Sequence, residues 1–403
     1  MLEPANRETM GRLHNGLVQP SGRSGVPPFM VMDVMAAAAR LEAQGRRIVH
    51  MEVGQPAVGA PSAAIAAVRA ALGHAPHGYT EALGIGSLRR RIAKAYADWH
   101  GLEIAPERII VTTGSSAGFM LAFLAAFEAG DRVAVALPGY PPYRHILAAL
   151  GCEVVPIATS AATRWSITGE SLLAEHRIKP LKGVIVASPA NPTGTMMTGD
   201  ALAGLIRCAE DAGIAVISDE IYHGLDYAFA AESALRFSQD AIIINSFSKY
   251  FCMTGWRIGW MVAPQALVRA IERLQQNFAI SVPTLSQIAA EAAFDGRDEL
   301  EAIKHGYEDN RRILVEGLPR AGLTSFLPVD GAFYLYADIS RFSDDSFAFA
   351  NRMLEEAGVA ATPGIDFDPV HGRQFLRLCY AGSREDMHEA VTRIAAWLED
   401  GKL

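Results

Sequence analysis

Lys249 directly follows the apolar run AIIINSFS, so this chain delivers an amine to the end of a segment that water should not reach. Desolvation favours the neutral amine, the form that condenses with an aldehyde. On spacing alone, a lysine that snorkels to solvent is the stronger reading. Asp219 closes a second apolar run, IAVISD. A carboxylate there is costly to bury unless it meets a cation or a strong donor. A protonated ring nitrogen would serve, and so would the N–H groups of a helix start. Tyr222 lies three residues on, so one helical turn would set it on the same face as Asp219; packing explains a lone tyrosine as well. Gly114-Ser115-Ser116 ends the run IIVTT and opens a helical pattern. Its N–H groups and hydroxyls suit a phosphate, or the serines simply cap the helix. Ser246 and Arg257 could add a hydroxyl and a fixed cation to that phosphate, although Arg257 by itself reads as an ion-pair residue. Asn191 brings an amide and Tyr140 an aromatic ring. Arg377 interrupts the apolar segment FLRLCYA, and a buried guanidinium calls for a carboxylate, a phosphate or an internal ion pair.

These residues share one kind of address. The runs at 109–114, 132–139, 183–192, 214–220, 241–249 and 258–264 are short, rich in Val and Ile, and apolar throughout rather than alternating. That pattern belongs to strands covered on both faces, as in a parallel α/β sheet. Intervening segments such as 198–211 are long enough for crossover helices. In such sheets ligands bind beyond the carboxyl ends of the strands, where every group named above would lie. Phosphate donors, an aromatic face, an acid for a ring nitrogen, donors for a ring oxygen and an aldehyde-trapping lysine together match what pyridoxal 5'-phosphate requires. After about residue 295 a long charged helical pattern (298–318) gives way to short strands and helices, an α+β texture. The expected organisation is an N-terminal arm (1–28), an N-terminal part of a small domain (29–55), a large α/β domain (56–295) and a C-terminal small domain (296–403).

With these motifs in order, the chain resembles the class I/II pyridoxal-phosphate-dependent aminotransferases of the aspartate aminotransferase-like fold, fold type I. The resemblance runs from about Phe29 to the C-terminus. It rests on SFSK with GWRIG (246–259), SPANPTG (188–194), SDEIY (218–222) and FLRLCYA. It implies a three-layer α/β/α large domain with a mainly parallel sheet beside a smaller α+β domain. The implied activity moves an amino group from an L-amino acid to a 2-oxo acid by a ping-pong, Schiff-base route. Lys249 is implied as the Schiff-base lysine and proton shuttle, Asp219 as the partner of the pyridinium N–H, and Tyr222 with Asn191 as donors to the ring oxygen. Tyr140 is implied to stack on the ring, and Ser115, Ser116, Ser246 and Arg257 to hold the phosphate. Arg377 would clamp the substrate carboxylate, and Gly54, in MEVGQP, would line the substrate side. Tyr79, in HGYTEALGIG, matches a tyrosine that reaches the phosphate of a neighbouring subunit, which implies a homodimer with shared active sites. The stretch NFAISVPTLSQ (277–287) lacks the arginine with which one branch of the family recognises dicarboxylates, so neutral, aromatic or branched donors stay open.

Composition sets the remaining bounds. Thirty-six Lys and Arg against 44 Asp and Glu give a net charge of −8, and half the residues are hydrophobic. No basic run is dense enough for a nucleic-acid or membrane footprint. Four scattered cysteines form no C-x-x-C pair, as expected for reduced thiols in a cytoplasmic protein with no metal centre. No run reaches the roughly 18 apolar residues of a membrane span. Three alternatives keep a sequence basis. Gly114 to Gly118 satisfies G-x-S-x-G, and His371 could complete a serine hydrolase. A cofactor-sensing regulator would need a DNA-binding module, for which the segment before Phe29 is too short. A C–S β-lyase would share the fold and every motif.

Overall fold

The apolar runs become strands because both of their faces are covered. The computed structural model describes residues 19–74 and 76–399, so the first 18 residues of the expected arm lie outside it. Chain order begins with the two-residue β1 (Val49–His50), followed by β2 (Ile109–Thr112), β3 (Arg132–Leu137), β4 (Glu153–Ala158), β5 (Gly183–Ala187), β6 (Ala215–Asp219), β7 (Ile242–Ser246) and β8 (Gly259–Val262). Strands β2 to β8 form one seven-stranded sheet in the order β2-β8-β7-β6-β5-β3-β4. Only β8 runs antiparallel to its neighbours; the ladders from β7 to β4 are parallel. Successive side chains enter opposite layers. Val184, Val216 and Ile243 pack into one apolar cluster, whereas Ile185, Ile217, Ile242 and Ile244 pack into the other. An uninterrupted Val/Ile run is what a strand needs when it contributes to two cores at once.

All six sequence runs are strands of this sheet. The seventh strand, β4, was not anticipated. It lies at the sheet edge, its burial alternates, and it carries Glu153 and Pro156, so it lacks the two-sided apolar signal.

Crossover helices fill the gaps. Gly199–Asp211 starts where the Thr198 hydroxyl accepts the Ala201 N–H at 3.3 Å. Pro141–Leu150 carries proline in its first turn and stops at Gly151, whose φ is +88°. The helix Ser115–Ala126 begins immediately after β2 and packs against β7 and β8. Gly259 permits this approach. A Cβ there would meet the Asn245 carbonyl oxygen at 2.7 Å and the Ser115 nitrogen at 3.2 Å. A bare backbone is needed for the helix start to nestle against the sheet.

The C-terminal part adds β9 (Tyr334–Asp338), β10 (Val359–Ala360), β11 (Thr362–Pro363) and β12 (Phe375–Cys379). The order β11-β12-β9 makes a small antiparallel sheet flanked by the helices Arg297–Gly317 and Arg384–Glu399. β1 pairs with β10 in parallel, which ties the segment after the helix Met30–Ala43 to this region.

Candidate active site

The carboxyl ends of β2, β3, β5, β6 and β7 open onto one cavity of about 530 Å³, closed on the far side by the small sheet and by the segment around residues 29–55. Its wall includes Gly54, Ser115, Ser116, Tyr140, Asn191, Asp219, Tyr222, Lys249, Arg257 and Arg377. Ten of the twelve site residues expected from sequence therefore meet in one place. Asp219 is the only acid among the residues lining it.

Asp219 closes β6, is 3% exposed, and faces the cavity. One oxygen accepts the Ile221 N–H at 3.1 Å, and the other accepts the Tyr143 hydroxyl. Burial pushes its carboxyl up to about 6, and the Tyr143 hydroxyl pulls in the opposite direction. Tyr143 lies 76 residues away in sequence, so nothing in the local spacing announces it. Tyr222 follows Asp219 in a tight turn rather than in the helix anticipated from their spacing. The turn still brings both side chains to the cavity.

Lys249 lies just beyond β7, partly buried. Its amine donates to the Gly54 carbonyl at 2.6 Å and lies 5.8 Å from the centres of the Tyr222 and Phe333 rings. Burial, helped by the nearby Arg377 and Arg257 cations, pushes the amine down to about 8. A sizeable fraction is therefore neutral, and so nucleophilic, at mildly alkaline pH.

Ser115 and Ser116 form the first turn of their helix behind Gly114, whose φ is +80°. Neither hydroxyl is bonded to another group among the described residues. A Cβ on Gly114 would lie 3.0 Å from the Arg257 guanidinium carbon, so glycine opens the space in which that cation sits against the helix N-terminus. Arg257 itself has a φ of +50°, a strained conformation for a residue other than glycine. Its Nη1 donates to the Thr254 carbonyl at 2.9 Å. Two adjacent hydroxyls, a helix N-terminus and a guanidinium that meets no carboxylate among the described residues make an anion cradle. Ser246 stands one layer behind this cradle. It is buried, donates weakly to the Ile258 carbonyl at 3.4 Å and accepts the Ser248 N–H at 3.0 Å. Ser248 is the serine of this segment that reaches the cavity wall.

Arg377, in the middle of β12, is 1% exposed. Its Nη1 donates to Asn191 Oδ1 at 2.9 Å, and its Nη2 donates to the Glu52 carbonyl and the Thr362 hydroxyl. Its guanidinium carbon lies 4.5 Å from the centre of the Tyr334 ring and 4.7 Å from that of Phe367. No carboxylate stands within ion-pair distance among the described residues, and Nε has no hydrogen-bond partner. The internal ion pair allowed by the sequence is absent. A buried guanidinium without a counter-charge is costly, and a bound carboxylate would relieve that cost. The amine, the acid, the anion cradle and this lone cation suit a group that carries an aldehyde, a basic ring nitrogen and a phosphate, with a carboxylate substrate beside it.

The wall opposite the strand tips is apolar, formed by Phe29, Val31, Met32 and Val53 with the neutral Gln55. Phe29 meets the Tyr140 ring edge-on at 5.9 Å. Sequence reasoning missed these residues, as it missed Tyr143 and Tyr334. The residue carried over from a neighbouring subunit, Tyr79, lies away from this cavity and is 82% exposed. The hydrolase alternative finds no geometry. His371 is exposed, its backbone N–H is held by Asp368, and no hydrogen bond joins it to Ser116 among the described residues.

The class I and II aminotransferase family profile matches residues 46–394. The chain belongs to that family. It is 49% identical over 380 residues to a valine–pyruvate aminotransferase of Mycobacterium tuberculosis, covering 93% of this chain and 97% of the relative. It is 32% identical to an aspartate/prephenate aminotransferase of Thermus thermophilus, covering 91% and 95% respectively. A crystal structure of an aminotransferase from Mycobacterium tuberculosis superposes with a TM-score of 0.93 at 48% identity, covering 95% of this chain and all of that one. This aminotransferase therefore has the fold type I architecture and moves an amino group between an amino acid and a 2-oxo acid. No described helix is long and apolar enough to cross a membrane.

Proposed function

We propose that this aminotransferase binds pyridoxal 5'-phosphate in the 530 Å³ cavity and uses it to exchange the amino group of a neutral L-amino acid with a 2-oxo acid. The observation that carries this reading is one cavity in which a partly neutral Lys249 amine, the buried Asp219 carboxylate and an uncompensated Arg377 guanidinium face one another. When bound, the cofactor supplies an electrophilic carbon and a cationic ring that accepts electron density from the substrate Cα. Lys249 would hold the cofactor through that carbon, and its amine would move the proton from the substrate Cα to that same carbon. Asp219 keeps the ring nitrogen protonated, and Tyr143 in turn keeps Asp219 ionised. Tyr222 and Asn191 donate to the ring oxygen, and Tyr140 covers the ring face. Ser115, Ser116, Arg257 and, by way of Ser248, Ser246 hold the phosphate. Tyr79 of a second copy completes that cradle, so the working unit is a homodimer. Arg377 takes the substrate carboxylate through its unused valence and the adjoining Asn191 amide, beside Gly54. We read 56–295 as the cofactor-binding unit, with 29–55 and 296–403 as the unit that bears Arg377, in a cytoplasmic enzyme.

The substrate side chain would meet Phe29, Val31, Met32 and Val53. None of these pays for burying a second carboxylate. A branched or small apolar donor fits, in keeping with the valine and pyruvate in the name of the Mycobacterium tuberculosis relative. A half-reaction screen tests the reading. Each amino acid is mixed with holoenzyme in turn, without acceptor, and loss of the yellow cofactor band is timed. Valine or another neutral donor should convert the enzyme much faster than aspartate. Fast conversion by aspartate alone would refute the substrate class, and a colourless protein would refute the cofactor. Release of pyruvate from cystathionine without any acceptor would instead mark a β-lyase.

A further inference from the structure

Tyr334, at the start of β9, has no role in the account so far, yet it touches three of the groups that do. Its hydroxyl lies 2.7 Å from the Tyr222 hydroxyl. Its ring lies under the Arg377 guanidinium at 4.5 Å. A Cβ on Gly54 would fall 2.7 Å from its Cζ and closer still to its hydroxyl. Tyr334 is 1% exposed and lines the cavity.

The hydroxyl pair has a direction. Two phenols that share one hydrogen bond use one of their two protons between them. The proton left over belongs to whichever oxygen accepts. If Tyr222 is to offer its proton to an occupant of the cavity, it must accept from Tyr334. Both phenols are pushed to higher pKa by burial, so both are protonated at working pH. A donor that itself accepts a hydrogen bond is polarised and donates more strongly. The ring does separate work. The Arg377 guanidinium lies over the rings of both Tyr334 and Phe367, which support a cation that lacks a carboxylate partner among the described residues. The same hydroxyl accounts for the glycine at 54. Gly54 does not have a left-handed φ, so Tyr334, not the backbone, is what excludes a side chain there.

We propose that Tyr334 is a positioning residue that couples the two halves of the site: its hydroxyl aims the Tyr222 proton at the cofactor ring oxygen, and its ring holds Arg377 in place for the substrate carboxylate. This rests on the reading that pyridoxal phosphate occupies the cavity.

Two variants separate the two contributions. In Tyr334→Phe the ring stays and the hydroxyl goes. A weaker bond from Tyr222 leaves the anionic ring oxygen more basic, so the protonated form of the bound chromophore persists to higher pH. The midpoint of the holoenzyme absorbance titration should rise by roughly 0.3–0.7 pH unit, while KM for donor and acceptor stays within about twofold. In Tyr334→Leu the ring goes too, and both KM values should rise roughly 5- to 30-fold, with kcat reduced far less. An unmoved titration midpoint in Tyr334→Phe, or unmoved KM values in a folded Tyr334→Leu, would overturn the assignment of that half. If the wild-type protein shows no visible band when loaded with pyridoxal phosphate, the cavity reading fails and this inference fails with it. A normal band whose midpoint ignores Tyr334→Phe removes Tyr334 alone. Gly54→Ala gives a steric check: it should weaken substrate binding in the wild-type background and be partly rescued in Tyr334→Leu.

Discussion

The two walls of the cavity are built differently. The wall of strand tips takes Ser115, Tyr140, Asn191, Asp219 and Lys249 from successive elements of one sheet. Each arrives because a two-sided apolar strand ends at that level. The opposite wall is assembled from segments remote in sequence. The Glu52 carbonyl holds Arg377 across 325 residues, and the Gly54 carbonyl holds Lys249 across 195. The three-residue strap 52–54 thus grips both the clamp arginine and the lysine. The first wall concentrates the titratable chemistry, whereas the second offers one guanidinium and otherwise apolar or neutral surface. The contrast teaches that reaction type is written on the large sheet, and choice of substrate on the strap, the first helix and the small sheet.

Changes to the first wall should therefore damage turnover with any substrate, and changes to the second should act on substrate binding, uniformly at Arg377 and selectively on its apolar surface. Lys249→Ala should cost roughly 10⁴-fold or more in kcat, while the phosphate cradle still retains cofactor measurable by equilibrium dialysis. Turnover near the wild-type level would remove the central assignment. Asp219→Ala should cost on the order of 10³-fold, because the ring nitrogen loses its fixed anion; a loss under tenfold would show that the nitrogen needs no partner. Arg377→Met should raise KM for every α-carboxylate substrate by roughly 10- to 100-fold, the worth of charge-assisted hydrogen bonds. An effect on kcat with KM unchanged would place the carboxylate elsewhere. Tyr143→Phe sharpens the comparison through pH. Removing a donor from a carboxylate disfavours its ionised form, so the Asp219 carboxyl climbs further above about 6. Activity depends on the anion, is present above that pKa and is lost as pH falls through it. The acid limb of kcat/KM should accordingly move to higher pH, by roughly half a unit to one unit. A limb that stays put would mean that Asp219 is not the group it reports. Val53→Arg, on the second wall, should have the smallest effect on kcat with the best donor and should improve acceptance of aspartate relative to valine; unchanged selectivity would take the strap out of recognition.

The same contrast explains what could be read from the residues. Lys249, Asp219 and Ser115 stand out because strands buried on both faces leave contiguous Val/Ile runs, and the chemistry follows at their ends. β4 left no such trace, since an edge strand alternates. Tyr143 and Tyr334 were illegible for another reason. Each meets its partner through the tertiary fold, across 76 and 112 residues, and a tyrosine in an apolar neighbourhood looks like packing. Arg377 was half legible. An arginine inside an apolar strand is conspicuous, but only the structure shows that no carboxylate among the described residues waits for it. Ser246 shows the reverse: its place in the motif is clear, yet the backbone turns its hydroxyl toward Ile258.

The most direct test of the account is chemical. Holoenzyme loaded with pyridoxal phosphate is treated with borohydride, digested and mapped by mass spectrometry. The account predicts loss of the yellow band together with one reduced pyridoxyl group, on the peptide that carries Lys249. Attachment at a different lysine, or no attachment from a coloured protein, would contradict it.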